Sequence, residues 1–139
     1  ARTMAEGDDI TVIACGVCVL QAVEAAEELE EENDVKVRVI NMHTIKPLDT
    51  EAILKAAGET GKIITVEEHN IIGGLGGAVA ETLAEAGASC KLKRLGIPDV
   101  FSVIGYPEEL HRYYGIEIDG IKKGVKQMLD IPLDEDDDD

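Results

Sequence analysis

Two observations predict an α/β fold for this 139-residue chain, with a parallel sheet covered by helices on both faces. Short apolar runs alternate with amphipathic stretches of helical period. When strand and helix patterns alternate, each helix serves as the crossover between parallel strands. Two of the runs, Ile10–Cys15 and Ile63–Val66, are apolar almost throughout, as strands covered on both faces are.

The elements follow in order. Residues 1–5 have the length of one added strand. Ile10–Cys15 forms the first buried strand and stops at Gly16. From Cys18 to about Glu31 the residues Val19, Leu20, Val23, Ala26 and Leu29 share a stripe, with glutamates opposite, which predicts a helix. Val35, Val37 and Val39 alternate with Lys36 and Arg38, so this strand should be half covered and lie nearer an edge. Asp49, with Pro47 just upstream, reads as the cap of a helix from Thr50 that Gly58 and Gly61 close. Ile63–Val66 comes next, then the glycine-rich stretch Gly73–Gly77 and a helix through Val79, Leu83 and Ala86 to Gly87. Leu92 and Leu95, set among lysines and Arg94, predict a charged edge strand. Pro107 begins a short helix ending at Gly115, and Ile118–Leu129 forms the last one.

The two most buried strands should be central and adjacent. Connections leaving them to opposite sides of the sheet would make the crevice at their carboxyl ends a topological switch point, where open α/β sheets bind ligands. Cys15-Gly16 and His69–Gly77 would both face that crevice.

Composition narrows the function classes. The net charge of −16, from 29 acids against 13 bases, repels nucleic acid and anionic membrane. One Phe and no Trp leave the core to Val, Ile, Leu and Ala. Three cysteines do not all pair within one chain, which fits a reducing cytoplasm. No apolar stretch reaches membrane-spanning length. Residues 131–139 end in Asp134–Asp139, a like-charge run that predicts a disordered acidic tail beyond a single domain at residues 1–130.

Three motifs invite chemical readings. Gly74-Leu75-Gly76-Gly77-Ala78-Val79 offers G-x-G but places Val79 where a dinucleotide fingerprint wants glycine or alanine. Glu67 and Glu68 precede it and would repel a diphosphate, so the glycines more simply let the chain turn and the helix pack closely. As strand neighbours those two glutamates point to opposite faces and make a poor catalytic dyad. Cys15-Gly16-Val17-Cys18 is a C-x-x-C whose helix N-terminus would lower a thiol pKa if it served redox chemistry. Zinc would need further ligands, and Cys90, His43, His69 and His111 form no second pair. His43 and His69 each follow the carboxyl end of a strand, where an acid or base could sit, but no nucleophile motif accompanies them.

"INMHTIKPLD" (Ile40–Asp49), "VEEHNIIGGLGGAVAE" (Val66–Glu81) and "PEELHRYYGI" (Pro107–Ile116) together resemble the C-terminal domain of transketolases, in the variety found as the C-terminal subunit of split, two-chain enzymes. The resemblance runs over about residues 1–130. Deoxyxylulose-phosphate synthases and 2-oxo acid dehydrogenase beta subunits carry related domains, though His69 and "MHTIKP" look more like transketolase. The resemblance implies a three-layer α/β/α fold with a five-stranded, mostly parallel sheet, an antiparallel first strand and the order 1-3-2-4-5. It also implies an enzyme that moves two-carbon ketol units between sugar phosphates of the pentose phosphate pathway, using thiamine diphosphate and Mg²⁺, as a cytoplasmic homodimer.

Catalytic, cofactor and metal residues would lie in a diphosphate-binding and a pyrimidine-binding domain that these residues do not include. This chain would bind no cofactor alone. Its own contribution would be assembly or regulation, at an interface or regulatory-ligand corner of Cys15, Gly16, Glu68, His69, Gly73, Gly74 and Gly76. The opening residues resemble an entry from a preceding domain, which implies a piece of a longer chain. Two rivals stand beside this reading: a small-metabolite-sensing module at the switch point, and a dithiol redox protein built on Cys15 and Cys18.

Overall fold

A computed structural model describes residues 1–45, 47–70, 74–97 and 117–133, with the backbone alone at His69, Asn70 and Ile97. Five strands form: β1 (Arg2–Ala5), β2 (Ile10–Ala14), β3 (Val37–Asn41), β4 (Lys62–Asn70) and β5 (Lys91–Ile97). Four helices join them among the described residues: α1 (Cys18–Asn33), α2 (Thr50–Thr60), α3 (Leu75–Ala86) and α4 (Ile118–Met128). The helix expected at 107–115, the motif Pro107–Ile116 and the acidic run 134–139 lie outside the described residues.

The sheet order is β1-β3-β2-β4-β5. β1 pairs antiparallel with β3, and every other pairing is parallel. The two apolar strands are therefore central and adjacent, with Val12 beside Ile64 and Ala14 beside Val66. Strand alternation divides their side chains between two cores. Ile10, Val12, Ile64 and Val66 pack under α1 and α4 with Leu29, Ile121 and Val125. Ile13 and Ile63 pack under α2 and α3 with Ile53, Leu75 and Val79. The result is three layers, helices over sheet over helices.

Helix ends follow local chemistry. The Asp49 carboxylate accepts a hydrogen bond from the Ala52 N–H at 3.1 Å, as a capping residue does. That bond, and a further one from the Ala1 amino group, hold its pKa below the usual carboxylate value. α2 stops at Gly61, whose φ of 70° suits glycine. Gly58, expected to help end α2, lies inside it; its exposed position tolerates the helical backbone, and Gly61 alone supplies the left-handed stop. α1 runs two residues past the expected Glu31, to Asn33. There Asp34 adopts φ 54° and its N–H and that of Val35 reach the carbonyls of Glu30 and Leu29. An aspartate in the left-handed region gives a weaker sequence signal than a glycine would.

β3 departs from the half-covered strand that its valine-lysine alternation predicts. Val37, Arg38, Val39 and Ile40 are all buried, and β1 covers the outer side. Arg38 is only 8% exposed. Its Nη1 donates to Glu59 at 2.7 Å, and its Nε donates to the Gly7 carbonyl at 3.1 Å. A charged residue in an alternating run can be an interior residue when its partners come from elsewhere in the chain.

Two glycines give opposite predictions. A Cβ at Gly7 would sit 2.5 Å from the Lys36 carbonyl oxygen and the Val37 carbonyl carbon. A Cβ at Gly58 would meet nothing within 4 Å. In urea unfolding, Gly7→Ala should therefore lose about 1–3 kcal/mol by forcing backbone apart. Gly58→Ala should gain about 0.5–1 kcal/mol through helix propensity.

Candidate functional site

The carboxyl ends of the two central strands meet two helices that leave in opposite directions. β2 turns at Gly16, in the left-handed region at φ 60°, into α1 on one face. β4 leads toward α3 on the other face. The switch point expected from the burial pattern is present, with Cys15, Gly16, Cys18, Glu67, Glu68, Gly74 and Gly76 around it.

Along β4, Ile63, Thr65 and Glu67 alternate onto the α3 face. The first two meet apolar or close-packed neighbours. Glu67 meets the beginning of α3, where the first backbone N–H groups lack partners within the helix. Leu75 N–H donates to Glu67 Oε1 at 2.8 Å, and Gly76 N–H donates to Oε2 at 2.7 Å. Both carboxylate oxygens are thus engaged, the side chain is fully buried, and its negative charge sits at the positive end of the helix. β4, at Lys62–Asn70, is longer than the expected Ile63–Val66 and takes in Glu67. Glu67 reads as polar and exposed in sequence, but its charge is matched inside the fold.

Gly76 allows the helix to come this close. A Cβ there would lie 2.8 Å from Arg94 Cδ and 2.9 Å from Thr65 Oγ1. The glycine-rich corner is therefore a close-packing device closed by its own carboxylate. A diphosphate at this helix end would need the N–H groups that Glu67 already holds, and would face that carboxylate directly. The residues present do not fit a diphosphate group.

The cysteines turn out opposite to what a reactive dithiol needs. Cys18, not Cys15, occupies the first turn of α1. Burial, followed by the Glu68 charge, pushes its thiol up to about 12. Burial and then the charges of Glu67 and Glu68 also push Cys15 up. Three free thiols are present, and Cys90 stands apart at the start of β5, likewise pushed up by burial. Among the described residues, no three His, Cys, Asp or Glu side chains come together to hold a metal. No helix among them is long and apolar enough to cross a membrane.

Of the residues singled out in sequence, Cys15 and Gly16 follow β2, Glu68 lies in β4, and Gly74 and Gly76 stand at the start of α3. Gly73 lies outside the described residues, and His69 is placed by its backbone alone, in β4. His43 is exposed on the loop after β3. The residue that sequence reasoning passed over is Glu67. Its signal was available: it is the third member of the Ile63, Thr65, Glu67 alternation and lies eight residues before a helix start that has no Ser, Thr, Asp or Asn cap.

Next to the corner, a cavity of about 300 Å³ opens between α3 and the loop before α2. Its lining includes the apolar Ile45 and Leu48, the glycines Gly74 and Gly77, and the acids Glu81 and Glu85.

Glu67→Ala leaves two buried N–H groups without acceptors and should cost about 2–6 kcal/mol in chemical denaturation, at 1–3 kcal/mol for each such group. Glu67→Gln should recover part of that loss through its one carbonyl oxygen. In the folded protein at pH 8, Cys15 and Cys18 should react with a disulfide reagent far more slowly than in denaturant, because the thiolate is the reacting form. Rapid reaction of either would contradict the burial.

Comparison with known proteins accounts for the arrangement. The family described as "Transketolase, C-terminal domain" matches residues 1–121. One chain of the apulose-4-phosphate transketolase of Phocaeicola vulgatus is 46% identical over 129 residues, which are 93% of this chain and 40% of that protein. A 1-deoxy-D-xylulose-5-phosphate synthase of Geobacter sulfurreducens is also 46% identical, over 91% of this chain and 20% of that protein. The chain thus spans two fifths or less of the curated relatives it matches. Among solved structures, "Split gene transketolase, inactive beta4 tetramer" superposes with a TM-score of 0.85 at 36% identity, over 95% of this chain and 43% of that one. With its central switch point, its 1-3-2-4-5 sheet order and the match over residues 1–121, this chain belongs to the transketolase C-terminal domain family.

Proposed function

We propose that this chain is the C-terminal part of a thiamine-diphosphate-dependent transketolase, acting in assembly rather than in the chemical step. The observation that carries this reading is the Glu67 carboxylate at the start of α3. The one glycine-rich helix start that suggested a phosphate site is self-capped, so the corner serves close packing. Ketol transfer between sugar phosphates would then need the diphosphate-binding and pyrimidine-binding domains, on the same polypeptide or on a partner chain. A homodimeric, cytoplasmic holoenzyme follows from the same reading. The equal similarity of a deoxyxylulose-phosphate synthase keeps that enzyme class as the alternative parent.

A second reading has its own observation. The cavity beside Gly74 is of a size for a small metabolite, and Glu81 and Glu85 in its lining suit a neutral or cationic one. Of the regulatory corner expected from sequence, Cys15, Gly16, Glu68, His69, Gly73, Gly74 and Gly76, a ligand there would touch Gly74. Loss of a screened ligand's binding on changing Gly74 or His69 would support it.

The assembly reading predicts a negative result with a large margin. A ligand present at 100 times its Kd adds about 2.7 kcal/mol to stability. Thiamine diphosphate with Mg²⁺ should leave the melting temperature of this chain unchanged, and a saturable rise would sink the reading. Immunoblotting of source cells then separates the two arrangements. A band of about 300 residues or more means that at least one further domain shares the polypeptide. A band at the present size, 14.9 kDa, means that a partner chain supplies both.

A further inference from the structure

β5 is an edge strand with an unusual charge for this molecule. It pairs with β4 on one side, and among the described residues no strand pairs with its other side. The Lys91 N–H points inward, to the Gly61 carbonyl at 3.0 Å. Strand alternation therefore turns the backbone groups of every second residue, beginning at Leu92, toward the edge that no described strand pairs.

The side chains of Lys91 and Lys93 project on the α4 face. Lys93 Cε approaches Gly124 of α4, and in the β4–β5 register Lys91 lies opposite Lys62. Like charges facing each other across a ladder are unfavourable. In a chain with 29 acids and 13 bases, carboxylates to neutralise them are plentiful. Lys36, Arg38 and Lys122 each have such partners. Among the described residues Lys62, Lys91 and Lys93 have none.

We propose that the open edge of β5 receives an extended acidic segment of a partner polypeptide as a sixth strand. Acids at alternate positions of that segment would face Lys91 and Lys93, with Lys62 behind them. Strand addition at a free edge supplies main-chain hydrogen bonds, and side chains two residues apart supply the selectivity. The spacing of Lys91 and Lys93 is that two-residue period.

The net charge of −16 does not prevent such docking. At 0.1 M salt the screening length is about 10 Å, so a segment on β5 feels the three lysines more than the distant glutamates of α1. Lysines on an edge strand also deter unwanted pairing. Here that deterrent is selective in sign: a second β5 edge would bring lysine against lysine and be refused, and an acidic strand would be admitted.

The test uses the full chain and a fluorescent peptide of alternating Glu and Thr, followed by anisotropy at low salt. Saturable binding is expected, weakened at least tenfold by Lys91→Glu combined with Lys93→Glu, and lost when alternate peptide nitrogens are methylated. The milder Lys91→Gln and Lys93→Gln pair, with an unchanged melting curve, excludes misfolding as the cause. Absence of saturable binding would overturn the proposal, leaving the lysines as edge protection only. Binding indifferent to methylation would overturn strand addition, since charge alone would then suffice. Changes in the NMR signals of Lys91 and Lys93 on converting Asp134–Asp139 to asparagine, with no peptide added, would assign the edge to the chain's own acids and overturn the partner.

Discussion

The two hydrogen bonds that bring the backbone of α3 to the Glu67 carboxylate fix most of what surrounds them. They draw a fully buried charge out of β4 and set the start of α3 directly over the sheet. They require glycine at position 76 because Thr65 and the stem of Arg94 already fill that space. Removing the carboxylate would leave a helix end unsatisfied in the interior; removing the helix would leave a charge there. Each half is costly alone and stable together. Burial first, and after it the charges of Glu67 and Glu68, push the nearby thiols of Cys15 and Cys18 up. One side chain thus settles the packing of a helix and the identity of a glycine.

This arrangement separates fold from chemistry. A strand, a glycine-rich turn and a helix start make up the geometry by which many α/β domains hold phosphates. Here the anion is part of the chain. The glycines serve close approach, which is the other reason a backbone needs them.

Much of the architecture was legible because periodicity and burial coincide. Ile10–Cys15 and Ile63–Val66 read as central strands and are central. Leu92 and Leu95 among cations read as an edge and form one. Asp49 read as a cap and is one. What escaped were residues whose partners are distant in sequence. Arg38 looked solvent-facing until Glu59 and Gly7 closed over it. Glu67 looked like the end of a strand until α3 came back to it. Gly58 looked like a helix stop, and only the backbone angles distinguish it from Gly61. In each case local pattern gave the residue's preference, and a contact made elsewhere decided its outcome. The residue that caps the start of α3, Glu67, was not among the residues singled out for the corner.

The sheet order also sets a timetable for synthesis. β2 has β3 and β4 as its neighbours, and each is reached only after a helix has intervened. No two strands adjacent in sequence form a simple hairpin, so the earliest contacts available to a nascent chain lie within single helices. Parallel pairings of this kind close long loops before they gain contacts, and they form slowly. The central strand acquires both neighbours only when the chain has emerged through β4, which ends at Asn70. Until then one edge of β2 stays unpaired, and ribosome-bound chains shorter than that would be the ones in need of a chaperone.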